Sequence, residues 1–360
     1  MGKNMNTTQI PSFRNLYAFG KKLPIDLSLS ENPLGCTPKV SVALRGLTQH
    51  DFFDYPDPDC SKLKQVIATR FKLKTESVFV ANGSEAIIKL ITQIVIQPED
   101  EVIIPELTFP MFDIASKLSG GKVVLSKMTS DFDIDLEDIN SKITDRTKLI
   151  ILCNPNNPTG KVIPKKKILA FVKSTQITII VDEANIEFGG QTVIKEVESL
   201  PNLVVLRTFS KAFGLAGFRV GFCAASPEII QLLKQTSQPF PVSTVAEKVA
   251  LIAFEDIKFI AKSKRFMDKE RLFLTRELSK RDFKVVNSQA NNLLVIVDGS
   301  STDFVTRLNE EGVSVVDGSC FRFNGLNFFR VSPRLRRVNM QLLKAIDNIT
   351  DDLSSPPSSK

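Results

Sequence analysis

The sequence has few of the side chains that metal sites and histidine-based catalysis require. Of 360 residues none is tryptophan, one is histidine, two are tyrosine and five are cysteine. No two cysteines form a Cys-x-x-Cys pair, which argues against a Cys/His zinc site. A Ser-His-Asp or Cys-His mechanism would depend on His50 alone, a residue whose context is typical of the surface. We therefore expect no metal, and proton transfer by lysine, carboxylate or tyrosine.

Long apolar runs are also missing. None reaches the roughly 18 residues that a membrane span requires. The first six residues lack the apolar stretch of a signal peptide, and position 6 lacks the Ser or Thr that favours myristoylation. We expect a cytoplasmic protein without a membrane partner.

The excess of positive charge is spread along the chain. Lys and Arg number 47 against 40 Asp and Glu, and the sequence pI is about 9.1. Dispersed basic residues are typical of a solvated surface, with some attraction for anionic substrates, rather than of a nucleic-acid site. We expect no nucleic-acid partner.

Apolar runs and helical patterns alternate through the middle of the chain, which predicts an α/β fold. Runs that are apolar throughout suit a mostly parallel sheet covered by helices on both faces. The runs are 77–80, 102–104, 149–153, 177–181, 203–206 and 220–222. Polar motifs follow several of them, where ligands bind in open α/β sheets.

The C-terminal part predicts a smaller α+β domain. A long helical section over about 246–280 leads into it, strands are predicted at 293–297 and 313–316, and a last helix at about 338–353. We predict four segments in all. They are an N-terminal arm over 1–35, a large domain over 36–255, a small domain over 256–353 and a disordered tail over 354–360.

The most informative stretch is residues 210–219, Ser-Lys-Ala-Phe-Gly-Leu-Ala-Gly-Phe-Arg. Lys211 lies in a tight Ser/Gly-rich loop, the setting in which a lysine can become a neutral nucleophile. Arg219 suits a fixed phosphate. A Ser-Lys pair alone is more often solvated surface, so the weight comes from two earlier motifs, Val-Asp-Glu-Ala at 181–184 and Asn-Pro-Asn-Asn-Pro-Thr-Gly at 154–160.

Together these motifs resemble the pyridoxal-phosphate (PLP) aminotransferases of fold type I, most of all the histidinol-phosphate aminotransferase branch. The resemblance covers about residues 12–350. It implies a homodimer and a large domain with a mixed, mostly parallel sheet plus a smaller α+β C-terminal domain. Lys211 would hold PLP as a Schiff base and act as general base. Asp182 would pair with the protonated pyridine nitrogen, which makes the ring an electron sink.

The resemblance also implies the other contacts to PLP. Ser84, Glu85 and Ser210, with Arg219, would hold the phosphate, since a turn into a helix N-terminus presents N–H groups to an anion. Phe109 would stack on the ring, Asn157 would donate to its phenolic oxygen, and Tyr55 would reach the neighbouring subunit's cofactor. The implied cofactor contacts are Tyr55, Ser84, Glu85, Phe109, Asn157, Asp182, Asn185, Ser210, Lys211 and Arg219.

Four residues are expected on the substrate side. Arg330 matches the arginine whose planar fork clamps a carboxylate. Tyr17 matches a substrate-side tyrosine of the histidinol-phosphate branch, and Asn32 lies in the segment 30–35 that resembles the same branch. Arg322 is the fourth.

The chain departs from the family at three positions. Asn185 stands where a tyrosine tunes the internal Schiff base, and Ala86 replaces a common acidic residue. Val316 stands where the histidinol-phosphate branch tends to carry an arginine, for which Arg322 or Arg334 are alternatives. These departures leave PLP chemistry intact and leave the substrate open.

The function predicted is an aminotransferase of histidine biosynthesis, with histidinol phosphate as donor and 2-oxoglutarate as acceptor. Residues 317–330 also resemble threonine-phosphate decarboxylases, and an aromatic or other amino-acid aminotransferase is a further alternative. A non-catalytic regulator on the same fold is a remote one, because the chain keeps Lys211 and has no room for a DNA-binding domain before residue 30.

Overall fold

The structure is a computed structural model that describes residues 23–321, 323 and 325–354. Tyr17, Arg322 and the predicted tail beyond 354 lie outside these residues. The strands are β1 (Ile25–Asp26), β2 (Val78–Ala81), β3 (Glu101–Pro105), β4 (Lys122–Ser126), β5 (Thr147–Cys153), β6 (Thr178–Asp182), β7 (Leu203–Thr208), β8 (Gly221–Ala224), β9 (Lys284–Val285), β10 (Leu293–Ile296), β11 (Val313–Ser314), β12 (Val316–Asp317) and β13 (Phe328–Val331).

Helices flank these strands along the whole described chain. They are α1 (Pro38–Arg45), α2 (His50–Phe53), α3 (Ser61–Phe71), α4 (Ser84–Val95), α5 (Met111–Leu118), α6 (Leu136–Ser141), α7 (Lys165–Lys173), α8 (Pro227–Thr236), α9 (Thr244–Glu255), α10 (Ile257–Ser279), α11 (Ser301–Glu310) and α12 (Arg336–Ser354). Among the described residues, no helix is both long and apolar enough to cross a membrane.

Seven strands form the central sheet, in the order β2-β8-β7-β6-β5-β3-β4. The pairs from β7 to β4 are parallel, while β8 runs antiparallel to both β2 and β7. Successive side chains of a strand point to opposite faces. In β5, Ile150 and Leu152 accordingly join one apolar core, and Leu149 and Ile151 join the other. Both faces are covered, which explains why the predicted strands are mostly apolar.

One edge of this sheet gathers the polar motifs. The parallel strands β5, β6 and β7 end there at Cys153, Asp182 and Thr208. Strand β2 is antiparallel to β8, which is antiparallel to β7, so β2 also ends at this edge, and α4 begins three residues later. Because four strands end together, motifs distant in sequence meet there.

The C-terminal part contains two smaller sheets. Strands β12, β13, β10 and β9 form an antiparallel sheet, and β1 pairs in parallel with β11. The prediction of one strand over 313–316 is wrong. Val313–Ser314 pairs with the N-terminal strand, whereas Val316–Asp317 pairs with β13, so the chain changes sheets at Val315.

The predicted helical section over 246–280 consists of two helices that separate at Asp256. Its carboxylate accepts a hydrogen bond from the Phe259 backbone N–H at 3.2 Å, which caps α10. It also accepts one from the Thr37 hydroxyl at 2.7 Å. Capping of the free N–H groups at a helix start explains the break. The predicted domain boundaries at 36, 256 and 353 stay a prediction.

Candidate active site

A cavity of about 700 Å³ opens at the carboxyl edge of the seven-stranded sheet. Loops after β2, β6 and β7 and the segment after β1 contribute to its wall. It brings together nine of the residues predicted from the sequence. They are Ser84, Glu85, Phe109, Asn157, Asp182, Asn185, Ser210, Lys211 and Arg219.

Asp182, the last residue of β6, places a carboxylate in the cavity wall. The side chain is 3% exposed, and its Oδ1 accepts a hydrogen bond from the Ala184 backbone N–H at 3.0 Å. Burial raises the pKa of Asp182 to about 7, although this hydrogen bond and the charge of Lys211 act in the opposite direction. A buried carboxylate is costly without a cation beside it, so Asp182 suits a positively charged ligand group.

Lys211 lies in the loop that follows β7, on the same cavity. Burial lowers the pKa of Lys211 to about 8, and the positive charge of Arg330 adds to this effect. Glu31, Glu85 and Asp182 act in the opposite direction. A lysine with this pKa is partly neutral near pH 8, and a neutral amine can act as nucleophile or base.

The start of α4 forms a site suited to an anion. Its N-cap is Gly83, which has no side chain to satisfy the first N–H groups of this 12-residue helix. Arg219 lies alongside, with Nη1 3.5 Å from the Ser210 hydroxyl and Nη2 3.4 Å from Glu85 Oε2. A Cβ on Gly221 would lie 2.5 Å from the Ser84 amide nitrogen, so only glycine fits behind this turn. Free N–H groups beside a guanidinium favour a phosphate.

Arg330, in β13, is linked to the cavity through Asn157. The guanidinium is almost fully buried, and its Nη1 donates to Asn157 Oδ1 at 3.0 Å. Its Nη2 donates to the Ser28 carbonyl. The structure therefore connects the C-terminal antiparallel sheet to the Asn-Pro motif and to the segment that follows β1.

Asn185 contributes a polar surface to the cavity wall, and Phe109 contributes an apolar one. Asn185 is 5% exposed, and its Oδ1 has no hydrogen-bond partner among the described residues. A buried acceptor without a donor is costly, which suits a ligand that supplies one. Phe109 lines the cavity and packs edge-on against Phe112, with ring centroids 5.6 Å apart.

Besides Arg330, two described residues of the predicted site do not line the cavity. Tyr55 is 83% exposed and stacks on Phe240 with ring centroids 4.7 Å apart. The Asn32 amide donates to the Ala212 carbonyl and the Ser263 hydroxyl, and its Oδ1 accepts from the Leu34 backbone N–H. Protein groups thus engage both polar atoms of the Asn32 side chain, and its contact with substrate stays a prediction.

Of Arg322 and Arg334, the two alternatives for the arginine missing at Val316, the structure describes only Arg334. Val316 itself is fully buried in an apolar cluster. Arg334 donates to Glu31 Oε2 at 2.6 Å and to the Asp26 carbonyl at 3.0 Å, and so is engaged at the rim of the cavity. Arg322 lies outside the described residues.

The sequence analysis missed Glu31 and Cys153, which line the cavity, and a buried ion pair behind it. Glu31 is part of the segment 30–35 that drew notice only for its resemblance. Behind Asp182, Glu183 Oε2 accepts from Arg207 Nη1 at 3.0 Å, and both side chains are buried. The Glu183–Arg207 pair joins β7 to the residue that follows β6. No local pattern in the sequence distinguishes such a pair from surface charges.

A partly neutral lysine, a buried carboxylate and an anion site lie around one cavity, a combination expected of an aminotransferase. The sequence matches the family of aminotransferase class I and II over residues 23–346. The chain belongs to this family.

Individual relatives carry a narrower name. The histidinol-phosphate aminotransferase of Moorella thermoacetica is 32% identical over 337 residues, covering 92% of this chain and 86% of its own. Histidinol-phosphate aminotransferase 1 of Archaeoglobus fulgidus is 36% identical over 325 residues, covering 90% and 99%. The solved histidinol-phosphate aminotransferase of Clostridium acetobutylicum has a TM-score of 0.83 at 30% identity, covering 91% and 99%. The predicted family resemblance, fold class and enzyme class are confirmed.

Proposed function

We propose that this aminotransferase uses PLP, with Lys211 and Asp182 as its catalytic pair, histidinol phosphate as amino donor and 2-oxoglutarate as acceptor. One observation carries the proposal. Asp182 and Lys211 face the same cavity, and burial raises the pKa of the acid to about 7 while it lowers the pKa of the amine to about 8. Such opposed shifts at a cavity are typical of acid and base groups in a catalytic site.

The described residues fit PLP at three of its groups. Asp182 matches the ring nitrogen because a buried carboxylate favours a cation beside it. Lys211 matches the aldehyde, to which a neutral amine adds. The start of α4 with Ser210 and Arg219 matches the phosphate. The unpartnered Oδ1 of Asn185 supports the fit, since it lies in the wall of the same cavity.

When bound, PLP supplies an electron-withdrawing ring that stabilises negative charge on the carbon bearing the substrate's amino group. A cation beside Asp182 favours the ionised form of its carboxylate, and the carboxylate in turn stabilises that positive charge at its end of the cavity. Lys211 takes the proton from that carbon and later returns a proton, which its pKa permits near neutral pH. Phe109 and the buried wall around it limit the access of water.

Arg330 binds the anionic group of each of the two substrates in this proposal. Its planar guanidinium can hold a carboxylate or a phosphate in two places. Histidinol phosphate presents a phosphate and 2-oxoglutarate presents carboxylates, so one buried arginine serves each half of the reaction in turn. Asn157 Oδ1, at 3.0 Å from Arg330 Nη1, fixes the orientation of the guanidinium.

A second copy of the chain completes the site in this proposal. Phe52, Phe53 and Tyr55 are each more than 60% exposed, and Phe240, on which Tyr55 stacks, is 42% exposed. A cluster of exposed aromatic side chains is typical of an interface. Tyr55 of one subunit reaches the phosphate end of the neighbour's cavity. Sedimentation tests this part: Phe53→Asp should shift the protein toward a monomer, and an unchanged dimer would contradict the interface.

An amino-donor screen tests the substrate. Histidinol phosphate, aromatic amino acids and threonine phosphate are each supplied with 2-oxoglutarate, and glutamate and carbon dioxide are measured. We expect glutamate, with the highest kcat/KM for histidinol phosphate, and none from Lys211→Ala. Carbon dioxide from threonine phosphate would show a decarboxylase instead. A higher kcat/KM for an aromatic donor would replace the proposed substrate and retain the chemistry.

A further inference from the structure

The turn that follows the first strand packs against the loop that carries Lys211. Asn32 lies in this turn and is 7% exposed. Its Nδ2 donates to the Ala212 carbonyl at 2.8 Å and to the Ser263 hydroxyl, on α10, also at 2.8 Å. Its Oδ1 accepts from the Leu34 backbone N–H at 3.0 Å, which closes the turn on itself. One side chain thereby joins the turn, the residue after Lys211 and α10.

A second contact between the same segments involves backbone alone. Gly214 has φ +71°, and a Cβ there would lie 2.0 Å from the Gly35 carbonyl oxygen and 2.8 Å from the Cys36 nitrogen. The Gly214 N–H donates to the Lys211 carbonyl at 3.0 Å. Residues 211–214 form a tight turn that meets the turn 32–35 without an intervening side chain. The lysine loop is thus bounded from outside by a segment about 180 residues earlier in the chain.

This packing bears on how Lys211 performs its reaction. A lysine side chain has four rotatable carbon–carbon bonds, so the position of its amine depends on how firmly its backbone is held. Reacting atoms must approach within about 3–3.5 Å, and a misplacement of about 1 Å can reduce the rate about 100-fold. The peptide carbonyl that accepts from Asn32 belongs to the next residue. A shift of that carbonyl moves the origin of the Lys211 side chain.

We propose that Asn32 is a positioning residue for Lys211, and that its hydrogen bond to the Ala212 carbonyl holds the lysine loop in register with the substrate. The proposal rests on the proposed function, because it takes Lys211 as the catalytic amine. It gives Asn32 a role distinct from the direct substrate contact that the sequence suggested. It also explains why a polar residue in the wall between two chain segments makes no contact with the cavity.

Two substitutions of matched size separate positioning from stability. Asn32→Asp keeps the shape and the acceptor for Leu34 but loses both N–H donors and places a carboxylate oxygen against the Ala212 carbonyl. Ser263→Ala removes the other acceptor and leaves the bond to Ala212 in place. Asn32→Asp costs two buried hydrogen bonds and Ser263→Ala costs one, so both should lower the melting temperature, the first by more. Asn32→Ser, which is shorter and uncharged, is the second test variant if Asn32→Asp does not fold.

The variants are compared as holoenzymes with the best donor of the screen. We expect Asn32→Asp and Asn32→Ser to lower kcat about 10- to 100-fold with KM within about two-fold. The pH midpoint of the bound cofactor's visible absorbance should also shift. Ser263→Ala should keep kcat and this midpoint. Unchanged kcat and midpoint in the Asn32 variants, or an equal loss in Ser263→Ala, would overturn the positioning role.

The wild-type protein separates this outcome from a failure of the proposed function. Borohydride should fix the cofactor onto Lys211 of the wild type, as located by mass spectrometry of the peptides. If it does so and the Asn32 variants behave as wild type, only the positioning role fails. If no cofactor is fixed at Lys211, the proposed function fails and this proposal with it.

Discussion

Replacement of Asp182 by asparagine should stabilise the cofactor-free protein and abolish its activity. The carboxylate is 3% exposed, and within the described part of the chain it accepts a hydrogen bond from the Ala184 backbone N–H alone. Asparagine has the same shape and its Oδ1 can accept the same bond. The substitution therefore removes little more than the buried charge, whose desolvation is the largest cause of the raised pKa.

The size of the effect follows from the shift in pKa. Asp182 titrates near 3.8 in the unfolded chain and at about 7 in the folded protein. Between these values the folded state holds a proton that the unfolded state has lost, so the free energy of unfolding falls as pH rises. A difference of about three pKa units corresponds to about 4 kcal/mol once both states have lost the proton, above pH 7. At pH 4.5 the cost is only about 1 kcal/mol.

Urea unfolding of the cofactor-free wild type and Asp182→Asn at pH 4.5 and pH 8 measures this difference. We expect the variant to be about 1 kcal/mol more stable than the wild type at the lower pH and about 4 kcal/mol more stable at the higher. Saturation with PLP should reduce the advantage, because a cation beside the carboxylate offsets its desolvation. A variant that is no more stable at pH 8 would refute the buried, uncompensated carboxylate on which its role depends.

Three other substitutions test the remaining parts of the site. Lys211→Ala should abolish turnover and borohydride fixation of the cofactor while the circular dichroism spectrum is unchanged; turnover at wild-type rate would remove Lys211 from catalysis. Arg330→Ala should raise the KM for 2-oxoglutarate at least about 10-fold, and Arg330→Lys should restore it only in part, because an ammonium lacks the planar fork. Glu183→Gln removes one of the two carboxylates that pair with the buried Arg207 and leaves Glu187 as the other, so it should lower the free energy of unfolding by about 2 kcal/mol in urea, the loss expected when a buried hydrogen bond to a charged group is weakened; an unchanged free energy of unfolding would contradict a structural role for the pair.

The sequence predicted six of the seven strands of the central sheet, because burial on both faces leaves a strong local signal. It missed the edge strand β4, most of whose residues are exposed or half-buried. Runs such as 149–153 and 179–181 are apolar at every position, and both lie in strands. The ends of those runs also indicated where the polar motifs lie, because each motif directly follows a strand of the sheet. Once four strands end at one edge, Asp182 and Lys211 must lie near each other, whatever separates them in sequence.

Contacts between distant segments left no comparable signal. The run at 313–316 is apolar enough for one strand, and only the positions of β1 and β13 divide it at Val315. Arg334 was considered as a substitute for the arginine absent at Val316, but its pairing with Glu31 depends on a residue about 300 positions earlier. Local propensity cannot decide such pairings, because tertiary packing determines them.

Asn32 shows why a motif can be informative although the sequence alone does not determine the role of each residue in it. An asparagine before proline in a turn is compatible with a contact to substrate, with turn formation or with a bond to a distant carbonyl. Only the structure shows the amide against Ala212 and the Gly35–Gly214 backbone contact beside it. The lysine motif at 210–219 and the turn at 32–35 therefore form one mechanical unit, in which the first supplies the amine and the second fixes its origin. Substitutions in the turn should consequently resemble substitutions in the lysine loop in their kinetic effect, although the turn contributes no atom to the chemistry.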